Sequence, residues 1–225
     1  MPRDYYVDFR SEETIAQIAT QLRDAHGSRN DDTFNIVEFV EQTLPAQLKG
    51  SKRGRLKVQF YDRDFKEDDP AYVTFDPLTL YSDTGVWMDA RIGEAYPRYV
   101  IAHEIGHIVL HDHSAKAFSN DRSAQIRFAE DGHSAEWQAN TFAGHFLLPT
   151  QNVQKLQNVT VIAAYCQVPD NLALERVLAV KRQEHRKKRV FEGDFCSKCG
   201  SFSLVRSGTL LKCTTFGCDR IVSRF

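Results

Sequence analysis

Long apolar runs are what this chain of 225 residues most plainly lacks. No stretch approaches the roughly 20 apolar residues that a membrane helix requires, and no apolar signal-peptide core follows Met1. These absences argue against insertion and export, so the expected compartment is the cytoplasm, with no membrane partner. Methionine is scarce, limited to Met1 and Met88. Cysteine is nearly missing from the body: Cys166 stands alone there, while Cys196, Cys199, Cys213 and Cys218 crowd into the last 30 residues. That crowding excludes a disulfide framework spread through the fold and favours a metal site. Net charge is also small, at −1, but the total conceals a split. Residues 1–180 carry −8 and residues 181–225 carry +7. The expected organisation is a body over 1–180, a basic linker over 181–192 and a small domain over 193–225.

What is present fits a globular protein, with 42% hydrophobic and 26% charged residues. A capped amphipathic helix is predicted over 11–25, with Ile15, Ile18, Ala19 and Leu22 on its apolar face. A second is predicted over about 34–44, stopping before Pro45. Strand-like segments follow at 56–61, 71–75 and 85–90, with 78–81 a possible fourth. Pro70, Pro77 and Gly85 separate them, and the short spacing predicts an antiparallel meander. The acidic run through Asp62, Asp64, Glu67, Asp68 and Asp69 reads as a solvated loop. Further helices are predicted near 98–111, at 133–149 after Ser134, and as two short ones within 160–180. Between them, 112–133 is a long polar connection that could flank a cleft. The fold class is α+β.

The stretch that organises the rest is RYVIAHEIGHIVLH, residues 98–111. On a helix, His103 and His107 lie about 40° apart around the axis and about 6 Å along it. Both imidazoles can reach one metal at roughly 2.0–2.1 Å. Glu104 points about 100° away, poorly placed as a ligand beside that pair and well placed as a general base toward an activated water.

A catalytic zinc site takes three protein ligands, so a third must be sought. His113 occupies the spacing of the last histidine in HExxHxxGxxH, but Leu110 stands where that pattern needs its turning glycine. Neither methionine lies downstream, where the metzincin turn would need one. Glu136 is the better candidate: it sits on its own predicted helix, with Asn140 one turn on along the same face. Asn140 could orient the outer nitrogen of a liganding histidine. His133 and His145 remain lesser alternatives. For an oxyanion donor, His111, His133, His145, Tyr96 and Tyr99 are all candidates.

RYVIAHEIGHIVLH followed by EWQANTFAGHFLLP resembles the ImmA/IrrE family of metallopeptidases, and the likeness extends to NLALERVL, covering about residues 11–180. The resemblance implies a zincin-like domain with a small antiparallel sheet, His103, His107 and Glu136 on a catalytic zinc, and Glu104 as general base. It also implies cleavage of a helix-turn-helix repressor, a DNA-binding protein, to relieve repression. In zinc peptidases of similar arrangement a sheet-edge strand holds the substrate extended, which here points to Val86, Trp87, Met88 and Asp89. A SprT/Spartan-like protease acting on DNA-bound proteins, and a non-catalytic repressor- or DNA-binding module, are the rival readings.

The C-terminal cysteines form C-x2-C, thirteen residues, then C-x4-C. Cys196, Cys199, Cys213 and Cys218 are the expected ligands of a structural zinc in a ribbon, which is too small to fold without metal. The preceding KRQEHRKKR and the ribbon could together contact DNA phosphates. The basic tail departs from the family's minimal pattern. Cys166, in an apolar helix, reads as a packed thiol.

Overall fold

The computed structural model describes residues 6–28, 33–49, 55–62, 69–111, 131–156, 158–188, 196, 198–208 and 210–223. His113, Asp64, Glu67, Asp68, most of the 112–133 connection and the end of the basic linker lie outside them. The chain divides into two compact units, Met1–Val177 and Leu178–Phe225.

In the first unit, α1 (Glu12–Ala25) starts on Ser11, whose side chain accepts from the Thr14 N–H, and buries Ile15, Ala19 and Leu22. Its buried Arg23 donates to the carbonyls of Phe146 (2.7 Å) and Ser28 (2.8 Å) and lies over the Phe34 ring. The second predicted helix is interrupted: α2 (Ile36–Glu38), a π-turn (Phe39–Thr43) and α3 (Leu44–Gln47) follow one another. Pro45 does not end it. The proline sits in the first turn of α3, where its missing N–H costs little, and the widened turn precedes it.

The sheet comprises β1 (Lys57–Tyr61), β2 (Ala71–Phe75) and β3 (Leu78–Asp83), in the order β1-β3-β2. It is mixed, which corrects the expected antiparallel meander: β2 and β3 form a hairpin, and β1 pairs parallel with β3. Burial explains the order. The β3 strand is buried along nearly all its length and takes the centre, while β1 is largely exposed and takes an edge. The predicted strand over 85–90 is instead helix α4 (Thr84–Ile92). Asp83 caps it by accepting from the Val86 N–H at 3.0 Å, and Gly93, at φ 97°, closes it.

Helix α5 (Ala95–Leu110) is buried on several sides and packs on α6 (Ala135–Leu147). Buried Arg98 fastens it by donating to the carbonyls of Cys166 (2.8 Å), Gln167 (2.9 Å) and Phe34 (3.3 Å). Three helices close the unit: α7 (Thr150–Leu156), α8 (Val159–Cys166) and α9 (Asp170–Lys188), the last running into the second unit and through most of the predicted basic linker. Cys166 is fully buried, as expected of a packed thiol.

The second unit carries an antiparallel sheet of β4 (Leu204–Ser207), β5 (Leu210–Cys213) and β6 (Ile221–Ser223). Its small core is Cys196, Leu204 and Cys213, with Cys218 packed against them.

Candidate metal centre and its cleft

Gly106 brings the two central helices together. A β-carbon there would stand 3.0 Å from Ala139 Cα and 3.1 Å from its carbonyl oxygen, closer than nearly all such contacts, so glycine favours this close approach of α6. The approach sets His103 and His107, one turn apart on α5, against Glu136 in the first turn of α6. His103 Nε2 lies 3.0 Å from His107 Nε2 and 3.3 Å from Glu136 Oε2, and His107 Nε2 lies 3.4 Å from Glu136 Oε1.

These separations test the fit to a metal. Ligands held tetrahedrally at 2.0–2.1 Å are spaced about 3.3 Å apart, close to each of the three distances. Two imidazole nitrogens facing each other beside a carboxylate make a poor hydrogen-bond set and a good set of donors to one cation. The electrostatics agree. Burial works against a charged His103, yet the hydrogen bond with Glu136 and the charges of Glu104 and Glu136 raise its pKa above the ordinary value. Glu136 is likewise opposed by burial, and His103 and His107 hold its carboxyl well below the usual range.

The groups behind the ligands fix which nitrogen faces inward. Asn140 Oδ1 lies 2.8 Å from His103 Nδ1, so that ring donates from Nδ1 and turns an unprotonated Nε2 to the site. Tyr99 donates its hydroxyl to the same oxygen at 2.6 Å. Burial first, then Glu175 and Glu136, pushes Tyr99 up to about 12, so it keeps its proton. Behind His107, Nδ1 faces His111 Nδ1 at 3.0 Å, and His111 Nε2 donates to Gln138 Oε1 at 3.2 Å. Burial, then the neighbouring His107, lowers His111 to about 3, so it stays neutral. Sequence reading missed Gln138. It is a fully buried amide in an apolar helix, and that is the one signal that could have marked it.

A cleft of about 560 Å³ opens over the cluster, lined by His103, Glu104, His107 and Glu136 on one side and by β2 residues including Tyr72 and Val73 on the other. That volume falls in the usual range for ligand clefts. Glu104 is 8% exposed and lines the cleft together with the histidine pair.

Residues 54–178 match the family model of the IrrE N-terminal-like domain, a peptidase family. That span is more than half of the chain. This protein belongs to that family. Its IrrE N-terminal-like domain is zincin-like and α+β, and the matched residues contain the whole metal cluster. A vitamin B12-dependent ribonucleotide reductase from Bradyrhizobium diazoefficiens is 37% identical over 73 residues, 32% of this chain and 5% of the reductase. The chain thus spans a small fraction of that relative. A transcriptional regulator from Mycobacterium tuberculosis aligns over 73% of this chain and 46% of its own, at 15% identity and a TM-score of 0.45.

Not every expected residue joins the cleft of the IrrE N-terminal-like domain. Val86, Trp87, Met88 and Asp89 lie on α4 and do not line it; Val86 and Trp87 are buried, and Met88 is 57% exposed. The outer strand that borders the cluster is β2. Among the oxyanion candidates, His133 donates from Nδ1 to the Val7 carbonyl and His145 contacts Glu12 and Arg176. Tyr96 and Tyr99 line the cleft, and so does His111.

Beyond the IrrE N-terminal-like domain, the four ribbon cysteines also converge, each offering a sulfur within 4.8 Å of the others. Cys196 Sγ and Cys218 Sγ are 3.8 Å apart, and Cys199 Sγ and Cys213 Sγ 3.6 Å. Thiolates at 2.3 Å from a tetrahedral zinc are spaced about 3.8 Å apart, so this donor set also fits. The Ser203 and Thr215 hydroxyls hold the Cys213 thiol down to about 6, toward the thiolate that metal binding needs.

Proposed function

We propose that this protein is a cytoplasmic, zinc-dependent endopeptidase that cleaves a helix-turn-helix transcriptional repressor, with a second zinc structural in the ribbon. The observation that carries the reading is the convergence of His103, His107 and Glu136 beside Glu104 in a cleft bordered by an outer strand. In this reading His103, His107 and Glu136 hold the catalytic zinc, and Cys196, Cys199, Cys213 and Cys218 the structural one. Bound zinc would lower the pKa of water from about 15.7 toward about 7 and polarise a scissile carbonyl.

The chain's own residues supply the rest. Glu104 takes the proton of the attacking water and delivers it to the leaving amine, a role worth about 10²–10⁴-fold. Asn140 keeps His103 oriented, with Tyr99 holding Asn140 in turn. The substrate lies extended along β2, which replaces the 85–90 segment in that role. Membership of the IrrE N-terminal-like family supports a transcriptional repressor as the substrate. The basic residues that precede the ribbon favour a partner associated with DNA.

Co-expression with a repressor encoded beside this gene tests the activity. Wild type is expected to cleave it and Glu104→Gln to lose at least about 10²-fold in rate while still taking up two zinc ions per chain. Equal survival of the repressor with both proteins would remove that partner. Stimulation by single-stranded DNA of cleavage of unrelated bound proteins would favour the SprT/Spartan-like reading.

A further inference from the structure

The polar chain behind His107 does not stop at His111. Gln138 is fully buried, and its amide nitrogen donates both hydrogens, to the carbonyls of Asp8 and Gly132, each at 2.8 Å. With its nitrogen so committed, Gln138 presents its oxygen to His111, which must donate from Nε2. A neutral imidazole carries one N–H, so His111 Nδ1 is left to accept from His107 Nδ1. His107 Nε2 then faces the site with its lone pair. The direction of every bond in this series is set at its far end, by the backbone carbonyls of Asp8 and Gly132.

Residue 8 belongs to a segment outside the matched family residues, and that segment is fastened on both sides of the metal cluster. The Val7 N–H donates to the His133 carbonyl at 2.9 Å, and the Val7 carbonyl accepts from His133 Nδ1 at 3.1 Å. Tyr6 stacks on the His133 ring at 4.8 Å. The Arg10 N–H donates to the Gly132 carbonyl at 3.0 Å, and its guanidinium to the Leu110 carbonyl at 3.3 Å. Leu110 ends the helix that carries the two histidines, and residues 132–134 lead into the one that carries Glu136. Gly132 has no side chain because Phe9 occupies the place: a β-carbon there would lie 2.4 Å from the Phe9 ring.

We propose that residues 6–10 form a strap that, acting through Gln138 and His111, fixes the tautomer and orientation of His107. His111 and Gln138 are therefore positioning residues. The inference rests on the reading of His103, His107 and Glu136 as a zinc site.

The test is zinc affinity, measured on the full chain by competition with a chelator. Cobalt substitution separates the two sites, because only the thiolate site gives intense sulfur-to-metal charge-transfer absorption. Wild type is expected to bind two ions. His111→Leu removes the acceptor and should weaken the non-thiolate site about 10–100-fold. His111→Asn returns an acceptor near the Nδ1 position and should restore affinity to within about threefold of wild type, a difference that loss of packing alone would not produce. Gln138→Met serves in place of His111→Leu should that variant not fold, with the same loss expected. Gly132→Ala, which displaces Phe9, should weaken the same site about tenfold and leave the thiolate site unchanged. Equal affinity of the Leu and Asn variants, or wild-type affinity in Gln138→Met, would overturn the relay, and wild-type affinity in Gly132→Ala would overturn the strap. If wild type binds only the thiolate ion, the zinc-site reading itself fails and the proposal falls with it.

Discussion

His145 sits between Glu12, 3.2 Å from its Nε2, and the Arg176 guanidinium at 3.2 Å, two turns and a half beyond Glu136 on the same helix. Burial is the main influence on it and favours the neutral ring. Arg176 acts in the same direction, and Glu12 and Glu13 oppose them; the pKa falls below its usual value. The unfolded chain therefore binds a proton at a higher pH than the folded one. The stabilisation from neutral His145 is complete above the unfolded value of about 6.5 and is lost as pH falls through the window below it. Its slope is at most about 1.4 kcal/mol per pH unit. Urea unfolding of wild type and His145→Asn between pH 7 and 5 checks this: the variant is expected to show a shallower loss, and parallel curves would assign the slope to other groups. At this scale the sequence was readable where the clustering of side chains depends on local spacing. His103, Glu104 and His107 follow from helical geometry, and Glu136 with Asn140 from a shared helix face. The partners of Gln138 were not readable, because Asp8 lies 130 residues away and contributes a backbone carbonyl, which any residue carries.

Elements show the same division between local and distant causes. The segment of helix α4 reads as a strand because Val86 and Trp87 are good strand formers and Gly85 looks like a breaker. The opposing signals were also local: Asp83 as N-cap and Gly93 as left-handed C-cap, bracketing Thr84–Ile92. The parallel pairing of β1 with β3 was not legible, since strand order depends on which strand can be buried on both faces. Helix α5 was legible in extent, and the reason for its glycine emerges only from the packing. Gly106→Val tests the helix contact. Its side chain would press on the Ala139 backbone and Phe142, forcing α5 and α6 apart at a cost of about 1–3 kcal/mol. Because the same contact sets the distance from the histidines to Glu136, zinc affinity should fall along with the melting temperature. A variant that melts lower but binds zinc as tightly as wild type would show that the metal cluster tolerates a wider helix spacing.

On the scale of the molecule, the two units are stabilised by different means. The first has an extensive buried core that includes Ile15, Phe39, Leu80, Ile101, Ile105, Phe142 and Phe146, enough to hold its fold from apolar burial. In the second, the buried apolar side chains among the described residues of 196–223 are Cys196, Leu204, Leu211 and Cys213, two of which are candidate ligands. Phe202 and Phe216 stay outside at 79% and 104% exposure and add nothing to that core. With zinc on the four cysteines as proposed, metal–thiolate bonding, worth about 10–16 kcal/mol in comparable small zinc units, offsets the conformational entropy that so small a nucleus leaves uncompensated. Cys199 is the ligand candidate to remove, because its side chain is exposed and its loss leaves the apolar contacts in place. Cys199→Ser should therefore unfold the ribbon by weakening metal binding and not by opening a cavity. Limited proteolysis of the full chain is expected to cut within residues 196–223 of the variant at zinc concentrations that protect wild type, while the unfolding of the Met1–Val177 unit keeps its midpoint. Excess zinc should restore protection in part, because three thiolates remain. Continued protection of Cys199→Ser without added metal would mean that the ribbon holds itself together, and the basic tail would then need no metal to present its surface.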